Sequence, residues 1–202
     1  MSAAAVERPC DSDPRTLLDE ANALMEQLPG HRVEIIGGIL TVTPPPDFRH
    51  AHVLTDLMVP FITAGLHGKE TMVVQAVGIW LPSGPSDYAI PDLAVVDADY
   101  DEHMAENNCA DPAIFRLVVE VTSSNYNNDL RVKVNAYAEA QVPVYLIVNR
   151  KHGRVHVLTD PEGAVYEKHQ VFAPGQRVVL PASVGAEGTP SITLDVSELL
   201  KV

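Results

Sequence analysis

The sequence predicts an α/β (α+β) fold, in which helices flank a mixed central sheet and extra antiparallel strands follow at the C-terminal end. Two observations favour this class: segments of helical periodicity alternate with strand-like apolar runs, and one strand-helix-strand unit has the length of a parallel crossover. The 202 residues suffice for one domain with a single core. We expect a mobile tail over residues 1–14 and one domain over residues 15–202.

The first part of the chain predicts two helices with a hairpin between them. Apolar residues recur at spacings of three and four over Thr16–Leu28 and again over about His50–Leu66. Arg32–Ile36 and Ile39–Val42 are β-prone runs that flank two glycines, which is the pattern of a tight hairpin.

The remaining elements complete the sheet. Val73–Leu81 and Ala89–Val96 each predict a strand, and the second run is apolar enough to be covered on both faces. Phe115–Thr122 predicts a buried strand, followed by a helix from about Asp129 and a parallel strand at Val144–Val148. Four short antiparallel strands and a closing helical turn are expected over Arg154–Thr159, Ala164–His169, Arg177–Leu180, Ile192–Leu194 and Val196–Val202.

Several classes of protein are disfavoured by the sequence. No apolar run approaches the about 20 residues of a membrane span, and the N-terminal residues do not have the pattern of a signal peptide. We therefore expect a cytoplasmic protein that does not bind a membrane. There is no phosphate-binding glycine loop after a strand and no Gly-x-Ser-x-Gly motif, so P-loop and serine hydrolases are poorly supported.

The charge of the chain argues against a general nucleic-acid-binding surface. The formal net charge is −13, whereas affinity for phosphate depends on a basic face. Between Arg116 and Arg154, however, six bases and three acids give a local charge of +3. These bases form either one basic surface or scattered solvated charges.

Three carboxylates lie within apolar strands, where burial is costly unless a cation or hydrogen bonds compensate: Glu34, Asp92 and Glu120. Taken singly, each of these carboxylates is more simply explained as a structural group that caps a loop or pairs with an arginine. Asp92 and Glu120, however, both lie near strand ends, and two carboxylates that share an ion suit Mg²⁺ or Mn²⁺. Lys133 either reaches back over the strand end or forms a surface pair with Asp129 at helical spacing.

The spacing of these groups resembles the PD-(D/E)XK nuclease superfamily, and more narrowly its bacterial restriction-endonuclease-like branch. The resemblance covers about Thr16 to Thr159 and is carried by Pro91-Asp92, Val119-Glu120-Val121, Asp129-Leu-Arg-Val-Lys133, Tyr137 and the following Gln-Val-Pro-Val-Tyr-Leu-Ile-Val. The superfamily pattern places the lysine two residues after the glutamate, where this chain has Thr122. In this branch the next helix supplies the lysine, and Lys133 fits that position.

The resemblance implies a restriction-endonuclease-like core of order α-β-β-β-α-β and a metal-dependent endonuclease that hydrolyses DNA. It implies Glu34, Asp92, Glu120 and Lys133 as the catalytic set. Mg²⁺ or Mn²⁺ would be bound through Asp92 and Glu120. A homodimer is the expected assembly, because it presents two sites to two strands.

Three further residues are weaker candidates for the site. His50 could contact substrate phosphate, although a surface histidine is the simpler interpretation. Arg131 belongs to the locally basic stretch that would carry phosphate contacts. Gln75 could orient a metal-bound water, or it could be a buried amide that is hydrogen-bonded to the backbone.

Two alternatives to a DNA endonuclease stay open. One is a catalytically inactive nuclease fold that binds or regulates, which a solvent-facing Lys133 or widely separated Asp92 and Glu120 would favour. The other is a nuclease for RNA or structured nucleic acid, because the sequence contains no recognition element such as a helix-turn-helix or a zinc finger.

Overall fold

The computed structural model describes residues 16–122 and 128–201, so the tail expected over residues 1–14 lies outside the described residues. The helices of the described part are α1 (Leu17–Gln27), α2 (Phe48–Thr63), α3 (Lys133–Glu139) and α4 (Val196–Leu199). The strands are β1 (Arg32–Ile36), β2 (Ile39–Thr43), β3 (Thr71–Gln75), β4 (Gly78–Trp80), β5 (Tyr88–Ala89), β6 (Leu93–Asp97), β7 (Cys109–Ala110), β8 (Phe115–Val121), β9 (Val144–Asn149), β10 (Arg154–Glu162), β11 (Val165–Phe172), β12 (Arg177–Val179) and β13 (Thr193–Asp195).

A mixed sheet in the order β11-β10-β9-β8-β6-β3 forms the centre of the fold. Strands β3, β6 and β8 are antiparallel neighbours, whereas β8 and β9 are parallel and pair Val118 with Tyr145. Taken without the intervening strands of the second sheet, the elements α2, β3, β6, β8, α3 and β9 follow the predicted α-β-β-β-α-β order, and the predicted mixed sheet flanked by helices is confirmed. Strands β10 and β11 extend the sheet as an antiparallel hairpin, and β12 pairs with β13.

Helices cover both faces of the sheet. Because successive side chains of a strand point to opposite faces, Leu117 and Val119 of β8 join the cluster that contains Leu57 of α2. Val118 joins the cluster that contains Tyr137 of α3. Glu120 follows the alternation of Val118, so its side chain lies on the α3 face.

Local sequence signals explain where the first elements begin and turn. The Thr16 hydroxyl accepts a hydrogen bond from the Asp19 backbone, and the Asp19 carboxylate accepts one from Thr16 N, which together form a capping box for α1. Helix α2 begins slightly earlier than predicted, because Asp47 accepts a hydrogen bond from the His50 backbone at 2.7 Å. The hairpin turn uses positive φ angles of 61° and 71°, which its two glycines, Gly37 and Gly38, adopt without strain.

Two of the predicted strands are wrong, because each is divided between two sheets. Val73–Leu81 becomes β3 and β4, with Ala76 at a φ of +52° where the chain changes direction. Ala89–Val96 becomes β5 and β6, separated by Ile90, Pro91 and Asp92. Strands β4 and β5 belong to a second sheet in the order β2-β1-β5-β4-β7. Asp92 thus lies where the chain passes from the second sheet to the central one.

No helix of residues 16–122 or 128–201 combines the length and the apolar character that crossing a membrane requires.

Candidate active site

The three carboxylates predicted from the sequence converge between the two sheets. Glu34 lies in β1, Asp92 precedes β6 and Glu120 lies near the end of β8; each is at most 3% exposed. Pairing of Leu93 with Val119 brings Asp92 beside the end of β8. The Val121 backbone donates a hydrogen bond to Asp92 Oδ2 at 2.8 Å, which orients the carboxylate.

Lys133 joins two of these carboxylates. It is buried, and its Nζ lies 2.9 Å from Glu34 Oε1 and 2.8 Å from Glu120 Oε1, so the interpretation as a surface lysine is wrong. Each glutamate has a second donor: Ile90 N donates to Glu34 Oε1 at 2.7 Å and Tyr137 OH to Glu120 Oε1 at 2.9 Å. Burial and the charge of Glu120 raise the pKa of Tyr137, so its hydroxyl stays a protonated donor.

Thr122 occupies the position where the superfamily pattern has its lysine. The Thr122 hydroxyl accepts a hydrogen bond from the Arg150 backbone at 3.1 Å, so this residue connects two loops and contributes no charge. A π-helical turn, Asn128–Val132, places Lys133 at the first position of α3, where its side chain reaches Glu120 at the end of β8.

Arg32 is a member of the cluster that the sequence analysis missed. Its Nη1 lies 2.8 Å from Asp92 Oδ1 and 4.0 Å from Glu120 Oε2. The available signal was its position two residues before Glu34, because residues at that spacing share one face of a strand.

His50 also belongs to the cluster, so the interpretation as a surface histidine is wrong. It is 6% exposed and its Nε2 lies 3.2 Å from Asp92 Oδ1, because the first turn of α2 points this side chain at the start of β6. Among the residues that the structure describes, neither Asp92 Oδ1 nor His50 Nε2 has a partner with hydrogen-bond geometry.

The environment of Asp92 favours its ionised form. Burial by itself raises the pKa of a carboxyl group, but the His50 ring, the Arg32 charge and the Val121 N–H together outweigh it and hold the pKa of Asp92 well below its usual range. The charges of Asp92 and Glu120 raise the pKa of Arg32 although burial opposes them. Asp92 and Arg32 are therefore both charged at neutral pH.

The carboxylate pair fits a divalent cation of the magnesium type. Within the described ranges, no three or more His, Cys, Asp or Glu side chains are grouped to hold a metal, which argues against a closed all-protein site. Mg²⁺ needs fewer protein ligands, because it binds through one or two carboxylates and keeps several waters. Asp92 Oδ1 is a buried oxygen to which no described residue donates a hydrogen bond of good geometry, and a cation already lies beside it: Arg32 Nη1 is 2.8 Å from this oxygen and 4.0 Å from Glu120 Oε2.

Two weaker candidates lie outside this cluster. Arg131 is exposed, two residues before Lys133. Gln75 is exposed at the end of β3 and its amide contacts Met58 Sδ, so its prediction as a buried amide is wrong.

The locally basic stretch does not supply six phosphate-binding side chains. Lys133 is buried in the cluster, Arg116 pairs with Asp97, and Arg150 Nη1 lies 3.4 Å from Asp47 Oδ1. The other three bases are exposed: Arg131, Lys151 and Arg154.

Comparison with known proteins places the chain in a family. A family model described as "Putative restriction endonuclease", Uma2, matches residues 19–196. Among solved structures, a "putative nuclease belonging to DUF820" from Anabaena variabilis ATCC 29413 matches with a TM-score of 0.63 and 19% identity, covering 93% of this chain and all of that one. The structural likeness at this identity shows the fold. No curated protein matched the chain.

Proposed function

Because the chain belongs to the Uma2 family, described as "Putative restriction endonuclease", and to the restriction-endonuclease-like PD-(D/E)XK superfamily, we propose that it is a metal-dependent endonuclease that hydrolyses DNA phosphodiester bonds. One observation carries the proposal: a buried lysine is held between Glu34 and Glu120, beside an ionised Asp92 whose Oδ1 lies 2.8 Å from the guanidinium of Arg32.

The proposed catalytic set is Glu34, Asp92, Glu120 and Lys133. Asp92 and Glu120 would hold Mg²⁺ or Mn²⁺, which when bound acidifies a water and neutralises charge on the leaving oxygen. The ammonium of Lys133 is a fixed positive charge next to the carboxylate pair, where it stabilises negative charge that develops on the phosphate. Glu34, anchored by the Ile90 N–H, prevents Lys133 from turning away.

The same contacts argue against a catalytically inactive module. That alternative is favoured by a solvent-facing Lys133 or by separated carboxylates. Lys133 is instead buried, and one nitrogen of Arg32 lies 2.8 Å from Asp92 and 4.0 Å from Glu120.

The substrate and the assembly complete the proposal. DNA is the proposed partner, contacted through the exposed Arg131 and the neighbouring loops, with His50 on the Asp92 side of the cluster. We expect one domain over residues 15–202 to carry both the metal and substrate sites, and a homodimer to present two sites to the two strands. Analytical ultracentrifugation with and without a short duplex measures the assembly.

The test combines calorimetry of Mn²⁺ binding with cleavage of supercoiled plasmid, single-stranded DNA and RNA. Wild type is expected to bind the ion and to cut DNA, and Asp92→Ala and Glu120→Ala to lose both properties. Lys133→Met should keep the ion but cut about 10²–10³-fold more slowly. Asp97→Ala is the matched control, because it removes a carboxylate that pairs with Arg116 outside the cluster.

Other outcomes would change the conclusion in defined ways. Ion binding without cleavage of any of the three substrates would favour the inactive module, and cleavage restricted to RNA would replace the substrate. If the wild-type protein neither binds the ion nor cuts, the carboxylates are structural.

A further inference from the structure

The guanidinium of Arg32 lies where the two proposed metal-binding carboxylates meet. Its Nη1 is 2.8 Å from Asp92 Oδ1 and 4.0 Å from Glu120 Oε2. The side chain of Arg32 is 20% exposed, whereas those of Asp92 and Glu120 are 2% and 3% exposed. Arg32 therefore lies on the more exposed side of the cluster, whereas the side chain of Lys133 is 3% exposed.

The charges of the cluster explain why a cation is needed in this position. Glu34, Asp92 and Glu120 carry −3 when ionised, and Lys133 neutralises only the glutamates that it contacts. Among the residues that the structure describes, the other ion-pair neighbour of Asp92 is His50, which is charged only when its ring is protonated. A buried carboxylate left without a cation is strongly destabilising.

A divalent ion that binds Asp92 Oδ1 needs the position that Arg32 Nη1 occupies 2.8 Å from this oxygen. Among the ion pairs of the described residues, Lys133 contacts only the glutamate oxygens Glu34 Oε1 and Glu120 Oε1. Like charges within a few ångströms repel strongly in a partly buried site. A lysine could relieve this repulsion by losing its proton, but an arginine stays protonated in proteins. The repulsion between Arg32 and a bound divalent ion is therefore relieved only when the guanidinium moves away from Asp92.

We propose that Arg32 is a resident cation that holds Asp92 and Glu120 in the metal-free protein and competes with the divalent ion for them. The inference rests on the metal site of the proposed function. It makes Arg32 a positioning residue, which acts on the reaction by setting the metal concentration at which the site fills. A protein in which the competing group occupies the site about nine-tenths of the time binds its ion about tenfold more weakly.

Calorimetric titration of the full chain with Mn²⁺ tests the competition without any use of activity. Arg32→Gln removes the charge and keeps a polar side chain, and it is expected to bind Mn²⁺ roughly tenfold more tightly than wild type. Arg116→Gln is the matched control, because it removes an arginine that pairs with Asp97 away from the cluster, and its affinity should equal that of wild type. Equal or weaker binding by Arg32→Gln overturns the proposal, since an arginine that only braced the carboxylates would weaken binding when removed.

The effect of Mn²⁺ on thermal unfolding gives a second readout, which a purely structural role of Arg32 would not produce. Without metal, Arg32→Gln should unfold at a lower temperature than wild type, because two buried carboxylates lose a cation. Saturating Mn²⁺ should raise the unfolding temperature of Arg32→Gln by more than that of wild type. An equal or smaller rise in the variant contradicts the competition.

If Arg32→Gln does not fold, the competition can still be tested on the wild-type protein. The Arg32 Nε–H signal can be followed by NMR during titration with diamagnetic Mg²⁺, and it should shift as the guanidinium leaves Asp92. A signal that does not change at saturating Mg²⁺ overturns the proposal.

Failure of this inference and failure of the proposed function give different results. If both proteins bind Mn²⁺ equally and wild type cuts DNA, the nuclease stands and the competition is wrong. If Arg32→Gln binds Mn²⁺ and wild type does not, the competition is supported and Arg32 keeps the site closed to metal. If neither binds, both the competition and the metal site are wrong.

Discussion

Two buried aspartates on either side of β5 are held in opposite ways. Asp87 and Asp92 are 2% and 3% exposed. Asp87 accepts hydrogen bonds from Gly37 N at 2.7 Å, Gly38 N at 3.1 Å and Ser83 Oγ at 2.7 Å. Its donors are neutral, and together they fix the β1–β2 turn against the loop that precedes β5.

Asp92 has one neutral donor and two charged or ionisable neighbours. The Val121 N–H donates a hydrogen bond to Oδ2. Oδ1 lies close to Arg32 and His50, but neither contact has hydrogen-bond geometry. Burial alone therefore does not distinguish a structural carboxylate from a candidate ligand. What distinguishes the two aspartates is whether neutral donors hydrogen-bond to both carboxylate oxygens, because a carboxylate whose oxygens are both hydrogen-bonded in this way is a poor ligand for an ion.

The largest expected effect comes from neutralising each aspartate in turn. Asp92→Asn should lower the rate of DNA cleavage by about 10³-fold, because it removes a carboxylate from the proposed ion site. Asp87→Asn should leave the rate within a few-fold of wild type. Single-turnover cleavage at saturating Mg²⁺ compares them, and a large loss in Asp87→Asn with an intact fold would show that the two aspartates are not functionally distinct.

The same pair of variants should differ in stability. Asp87→Asn places an amide NH₂ among two backbone N–H donors, so at least one donor loses its acceptor and the free energy of unfolding should fall by about 2 kcal/mol. Urea denaturation measures the change. Asp47→Asn is the control, because Asp47 is an exposed N-cap and asparagine caps a helix almost equally well. A loss in Asp87→Asn no larger than in Asp47→Asn would contradict the structural interpretation of Asp87.

The sequence predicted the parts of the fold that local pattern determines. The strand over Phe115–Val121, the crossover and the parallel strand Val144–Asn149 follow from apolar runs that flank a helix of suitable length. The breaks at Ala76 and at Ile90–Asp92 were not predictable in this way, because both halves of each run are β-prone. Which sheet each half joins depends on partners far away in the chain.

The candidate site shows the same division between local and long-range information. Asp92, Glu120 and Lys133 carry a recognisable spacing, and the structure brings them into one cluster. Arg32 carried only the weak signal of lying two residues before Glu34, because an arginine at the start of a hairpin ordinarily faces solvent. Its partners only become neighbours after the two sheets pack. His50 was underestimated for a similar reason, since nothing near it in the sequence shows that the first turn of α2 meets β6.

A pH-dependent stability change is expected from the C-terminal hairpin. His156 Nδ1 lies 2.9 Å from His169 Nε2, and burial together with the charges of His169 and His152 lowers the pKa of His156 to about 4. The unfolded state, with a pKa of about 6.5, then binds more protons between these values, so stability falls as the pH drops from about 6.5 to about 4.

Because His156 is only half-buried, solvent screening should limit this effect to about 1 kcal/mol. Urea denaturation at about pH 7 and about pH 4.5 is expected to show a smaller acid loss in His156→Gln than in wild type. The exposed His52 provides the control variant, His52→Gln, which should lose as much as wild type. Identical losses in all three proteins would place the acid sensitivity elsewhere.

The smallest expected effect concerns the neutral donor of Glu120. Tyr137→Phe and Tyr166→Phe each remove one buried hydroxyl hydrogen bond, to Glu120 Oε1 and to the Val142 carbonyl, both at 2.9 Å. Each should lower the free energy of unfolding by about 1 kcal/mol. Only Tyr137→Phe should also slow cleavage, by a few-fold, because Glu120 keeps its lysine but loses the contact that orients it. If both variants cut equally well, the Tyr137 hydroxyl is not needed to orient Glu120. Such a neutral donor, like those around Asp87, then contributes stability without contributing to the site.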